Sequence, residues 1–214
     1  LVALGESITR GSSASSYEKS WPPLLADAIG QVQGQPVTLV NPSVGGNVIS
    51  PKVGAYARSA RPATNEHMTE IIDAQPDLLI VSAGLNDARG GTPTHLFRNE
   101  LIALIESIRV HCDPLIVLLG PYFIVNFDIG GELFGQATPT TLAAYNQAIE
   151  EVAGDIGCLF CDIYAAYGEA SWALHTDGLH SNDLGHRLVA NTIFQTLAQH
   201  CSGLSLGLSR WEPA

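Results

Sequence analysis

The chain has 214 residues, 46% of them hydrophobic and only 14% charged, and 21 acidic side chains outweigh 10 Lys and Arg to leave a formal net charge of −11. That balance argues against nucleic acid and against an anionic membrane surface, both of which need a basic face. No apolar stretch approaches the roughly 20 residues of a membrane span, and a chain of this length buries roughly 70% of its unfolded surface without a metal or disulfide staple.

One compact α/β domain is therefore expected. The first apolar run, residues 1–4, ends at Gly5 and is followed directly by Glu6-Ser7-Ile8-Thr9. Strand-length apolar runs recur at 37–40, 78–81, 115–119 and 158–163, each bounded by turn residues. Between them, residues 24–29, 96–110, 141–152 and 184–197 carry apolar side chains at helical spacing. Thr140 and either Asn182 or Asp183 are the N-caps expected for the last two helices. Alternation of this kind predicts a mostly parallel, five-stranded sheet covered on both faces, in a flavodoxin-like order. The longest irregular stretch, about 121–139, holds Tyr122, Phe123, Phe127 and Phe134. Loops that long are usually functional or disordered, and the aromatics argue against disorder.

Four cysteines occur: Cys112, Cys158, Cys161 and Cys201. Cys158-Leu-Phe-Cys161 has redox spacing, but it lies in a strand-like run and not at a helix start, where a thiolate is stabilised. Buried structural thiols are expected. The chain opens inside its first strand without an initiator Met, so a preceding segment is not excluded; the compartment stays open, with the cytoplasm the default expectation.

In a parallel α/β sheet, ligands meet loops at the carboxyl ends of the strands. Gly5-Glu6-Ser7, residues 41–47, Gly84-Leu85-Asn86-Asp87 and Asp177-Gly178-Leu179-His180 all fall there. A serine hydroxyl is a poor nucleophile until a base takes its proton. His180 can be that base through one ring nitrogen while its other N–H is oriented by Asp177. Acyl transfer also needs donors aimed at the developing oxyanion. Gly46, which has no Cβ to obstruct its N–H, the Asn86 side-chain amide and the Ser7 N–H are the candidates. Taken singly, each of these residues is an ordinary turn or cap residue; the combination on one sheet edge reads as a Ser-His-Asp hydrolase. A zinc hydrolase built on His175, Asp177, His180 and His186 is the rival, but a helical His pair at a spacing of four is absent. No cofactor or metal is expected, and the partner is a small neutral ester.

These four segments resemble, in order, the motifs of the GDSL, or SGNH, hydrolases. The nucleophile motif is matched by Gly5-Glu6-Ser7, the oxyanion glycine by Gly46 after Asn41, Gly-x-Asn-Asp by Gly84-Leu85-Asn86-Asp87, and Asp-x-x-His by Asp177 to His180. The resemblance implies a three-layer α/β/α SGNH hydrolase fold and ester or thioester hydrolysis through an acyl-enzyme. The length and the composition of the tail separately suggest a single domain over 1–200 with a peripheral C-terminal extension over 201–214. Short- to medium-chain or aryl esters are expected, with the aromatic segment 122–134 and Trp172 as candidates to line an acyl or aryl pocket. The alternatives are sugar O-acetates, lysophospholipids or thioesters, and a module that binds an ester or glycan without turnover. Glu6 departs from the family's usual aspartate, for which structural adjustment and an altered rate are expected.

Overall fold

The computed structural model describes residues 1–51 and 65–201. Its centre is a parallel sheet of β1 (Val2–Gly5), β2 (Leu78–Ser82), β3 (Leu115–Leu119) and β4 (Leu159–Cys161), in that spatial order. Residues 2–4, 79–81 and 116–119 are at most 2% exposed. That is why the strands read as continuous apolar runs: a parallel sheet is covered on both faces, so no alternation survives.

The expected strand at 37–40 is reduced to a single parallel bridge between Val40 and Val2. Ala3 N–H donates to the Val40 carbonyl and Val40 N–H to the Leu1 carbonyl, each at 3.0 Å. The bridge lies on the side of β1 away from β2, so the flavodoxin-like order is kept with a rudimentary edge. Two facts shorten it. Pro36 and Pro42 flank the run and cannot donate to a ladder, and an edge strand has a neighbour on one side only. At the other edge the run 158–163 is cut at Cys161, because the Asp162 side chain accepts the Ala165 N–H at 2.8 Å and starts a helix.

Among the described residues the α-helices are α1 (Ser7–Arg10), α2 (Trp21–Gln33), α3 (Asn65–Ala74), α4 (Leu85–Arg89), α5 (Thr94–Arg109), α6 (Pro139–Ile156), α7 (Ile163–Tyr167) and α8 (Asp183–His200). α2 packs on α8, while α5 packs on α6 and α3 on α5, which makes the three-layer α/β/α arrangement. The N-cap of α6 is Thr138, whose Oγ1 accepts the Thr141 N–H at 3.1 Å; Thr140 sits inside the first turn. Pro139, with its φ preset for the first helical position, starts the helix earlier than expected. For α8 the cap is Asn182, which accepts from Leu184 N–H at 2.9 Å and Gly185 N–H at 3.1 Å.

All four cysteines are free thiols. Cys161 is buried in β4, and burial pushes its thiol up to about 11, far from a reactive thiolate. Among the described residues no helix is long and apolar enough to cross a membrane. Beyond Cys201, the expected C-terminal extension lies outside the described residues.

Candidate active site

β1 ends at Gly5 and the chain turns at once into α1, so Ser7 becomes the first residue of a helix at the carboxyl edge of the sheet. Its N–H is among the first four of the helix, which have no intrahelical acceptor. The carbonyl of Ser7 is held from the other side by the Ser12 N–H at 2.9 Å.

The opposing segment is the turn at 175–180. Gly178 takes φ +70°, and a Cβ there would lie 2.9 Å from Val125 Cγ2, so both the conformation and the space require glycine. The Gly178 carbonyl accepts from the N–H groups of Val125 at 2.9 Å and Asn126 at 3.1 Å, which pins the turn to the segment that follows β3. Within it, Asp177 Oδ1 accepts the N–H groups of Leu179 and His180, both at 2.9 Å. Its Oδ2 lies 2.7 Å from His180 Nδ1, and His180 Nε2 lies 3.0 Å from Ser7 Oγ across 173 residues of sequence.

Proton positions follow from the chemistry of the partners. Burial pulls the Asp177 carboxyl upward, but the bonds from His180 and the two backbone N–H groups outweigh it and hold the carboxyl at about 2. An ionised carboxylate only accepts, so His180 Nδ1 carries the hydrogen. In the neutral ring Nε2 is then the acceptor, and Ser7 O–H donates to it.

A second group surrounds the serine. The 41–47 loop is tied to β1 by Ser43 Oγ donating to the Ala3 carbonyl at 3.0 Å and Asn47 Nδ2 to the Gly5 carbonyl at 3.3 Å. Gly46 sits there at φ +80°. A Cβ built on Gly45 would come within 3.7 Å of Ser7 Cβ, so the loop passes directly beside the hydroxyl-bearing residue. Asn86, in α4, is 3% exposed and donates its backbone N–H to Glu6 Oε2 at 3.2 Å. Its Oδ1 accepts from Arg89 Nη1 at 3.1 Å, while its Nδ2 is buried with no hydrogen-bond partner among the described residues.

Glu6 and Asp87 are buried carboxyls on the same network. Asp87 accepts from Ile49 N–H at 3.0 Å and Ser50 N–H at 3.3 Å, tying the segment after Gly46 to α4. Burial pushes Glu6 up to about 8, and the neighbouring Asp87 adds to the rise against the opposing Asn86 N–H and Arg89 charge. Burial also pushes Asp87 up, to about 7, but its backbone donors pull against that rise, so the proton is held more firmly on Glu6.

The other residues singled out in the sequence fall elsewhere. His175 Nδ1 approaches Asp177 Oδ2 at 3.5 Å with a half-exposed ring. His186 is fully buried and occupied on both ring nitrogens, by the Trp21 N–H at 3.3 Å and the Ser12 carbonyl at 3.2 Å. Among the described residues no group of three or more His, Cys, Asp or Glu is placed to hold a metal ion. Tyr122 belongs to the core, bonded to Ser82 Oγ at 2.9 Å, and Phe134 stacks on Arg89. Trp172 stays 60% exposed.

Residues 3–188 match the GDSL-like Lipase/Acylhydrolase family. An arylesterase from Vibrio mimicus is 32% identical over 110 residues, 51% of this chain and 48% of that protein, so the match spans about half of that relative. An acetylxylan esterase from Geobacillus stearothermophilus is 24% identical over 212 residues, covering 92% of this chain and 93% of that one. A lipase/acylhydrolase from Enterococcus faecalis has the same fold, with a TM-score of 0.69 at 20% identity over 92% of this chain and 94% of that chain. Matched over nearly its whole length, the chain belongs to the GDSL-like lipases and acylhydrolases, a family of carboxylic ester hydrolases.

Proposed function

We propose that the chain cleaves carboxylic esters in two steps through an acyl-enzyme on Ser7, with His180 as general base and Asp177 as its orienting carboxylate. In the first step Ser7 Oγ attacks the ester carbonyl carbon as its proton passes to His180 Nε2. The tetrahedral intermediate then collapses, the C–O bond to the alcohol breaks, and His180 returns the proton to the leaving oxygen. Water repeats the sequence on the acyl-enzyme, releasing the acid and restoring Ser7. The N–H groups of Ser7 and Gly46 and the Asn86 amide are the proposed donors to the oxyanion.

One observation carries this reading: the 3.0 Å approach of Ser7 Oγ to His180 Nε2, with His180 Nδ1 already committed to Asp177. Supporting it is the orphaned Asn86 Nδ2, a buried donor whose cost of about 1–3 kcal/mol a reacting carbonyl oxygen would offset. For the substrate we propose aryl and short- to medium-chain esters, in line with the arylesterase relative. Sugar O-acetates are the second reading, favoured by the nearly full-length match to an acetylxylan esterase.

Labelling with a fluorophosphonate tests the nucleophile: Ser7 is expected to carry the adduct, and an inert Ser7 would refute the mechanism. Nitrophenyl esters of graded acyl length, assayed beside an acetylated xylo-oligosaccharide, separate the two substrates. A kcat/KM at least tenfold higher on the oligosaccharide would move the assignment to sugar deacetylation.

A further inference from the structure

Arg89 belongs to none of the sequence motifs; it stands three residues after Asn86 and one turn along α4. The residue is only 4% exposed, although a buried guanidinium is costly unless its donors are met. Nη1 donates to Asn86 Oδ1 at 3.1 Å and Nη2 donates to the Ile129 carbonyl, while Nε is buried without a partner among the described residues. The guanidinium carbon lies 5.2 Å from the centre of the Phe134 ring. The Arg89 carbonyl in turn accepts the Gln136 N–H at 3.0 Å, so the loop at 129–136 grips this residue by both side chain and backbone.

An asparagine amide has two nearly isosteric orientations, and only one offers a donor to a developing oxyanion. Arginine has donors and no acceptor. The Asn86 atom facing it must therefore be the oxygen, which leaves the NH₂ group as the buried atom without a protein partner. Resting on the oxyanion role proposed above for Asn86, we propose that Arg89 is the positioning residue of that site, locking the Asn86 amide with its NH₂ available to the reacting carbonyl. The loop of residues 129–136 is then the mount of that lock. Its conformation bears on turnover through Arg89.

The test is a double-mutant cycle on a nitrophenyl ester with Arg89→Met, Asn86→Ala and the pair. Arg89→Met is expected to lower kcat by ~10–10², part of the ~10²–10³ that a lost oxyanion donor costs, with KM changed less than about threefold. In the Asn86→Ala background the same substitution is expected to cost less than about twofold, since no amide remains to orient. An equal loss in both backgrounds, or no loss in the parent, overturns the proposal. If Asn86→Ala alone keeps the parent kcat, the oxyanion reading fails first, and that result is distinct from a failure of Arg89 alone. Should Arg89→Met melt below the assay temperature, Arg89→Lys against Arg89→Gln decides. Lysine is also donor-only and is expected to keep at least several-fold more kcat than glutamine, whose amide tolerates either orientation of Asn86. Glutamine equal to or better than lysine overturns the lock.

Discussion

Asp177 divides its two oxygens between separate tasks, and that division makes a sharp prediction. Oδ1 faces two backbone N–H groups and Oδ2 faces the His180 ring. In Asp177→Asn the remaining oxygen is needed by the backbone donors, so the new NH₂ is forced toward His180 Nδ1. The imidazole must then accept at Nδ1 and carry its hydrogen on Nε2, where it can no longer take a proton from Ser7. A drop in kcat of ~10⁴ is expected, with a melting temperature close to the parent's. A loss below tenfold would show that the tautomer is set by something else. Ser7, Asp177 and His180 could be picked out in the sequence because each stands in a short motif of fixed spacing. Arg89 could not: it belongs to no such motif, and its meaning comes from which Asn86 atom it faces. Glu6 was noticed as a departure, but its raised affinity for a proton follows from burial beside Asp87, which no linear pattern reports.

At the scale of elements, Asn182 joins the segment that leads into the 175–180 turn to the last helix. Its oxygen caps α8 through Leu184 and Gly185, while its NH₂ donates to the carbonyls of Trp172 at 2.7 Å and Leu174 at 2.9 Å. Asn182→Ala removes a cap and leaves two carbonyls to water, for a loss of about 2 kcal/mol. Urea unfolding would register it as a lower midpoint at unchanged m; an unmoved midpoint would mean that solvent replaces every one of these bonds. The main helices were legible because amphipathic spacing survives in α2, α5, α6 and α8. The helices expected from the sequence do not include α3 or the short α1, α4 and α7. The short ones are a single turn or little more, too brief for any periodicity to develop. The strand expected at 37–40 shrinks to a single bridge, since apolar content predicts burial but not the number of ladder partners available at an edge.

For the whole molecule, buried titratable groups set the pH window of stability. Glu6 keeps its proton in the fold up to about 8, against an ordinary value of 4.5. Its contribution is present below pH 4.5 and lost as the pH rises through about 8, because the unfolded chain ionises first. Asp177 acts in the opposite sense, its contribution present above its ordinary value of 3.8 and lost as the pH falls through about 2. His186 adds to the acid limb: burial lowers its proton affinity, and a charged ring would lose the Trp21 N–H bond to Nδ1. Glu6→Gln, which mimics the neutral acid at every pH, is expected to flatten the alkaline decline. Thermal melts at pH 5, 7 and 9 should show the variant gaining on the parent as the pH rises; parallel curves would contradict a protonated Glu6.

The order of apolar runs and helical spacings was enough to specify a parallel α/β sheet with its motifs along one edge, because burial on two faces and amphipathic packing leave their period in the chain itself. Contacts between residues far apart in sequence were decided only by the fold. The 3.0 Å meeting of Ser7 with His180, the orientation of the Asn86 amide and the proton on Glu6 all depend on distance, direction and dielectric between segments that the topology brings together. A residue's identity limits what it can donate or accept; its neighbours in space select which of those it does.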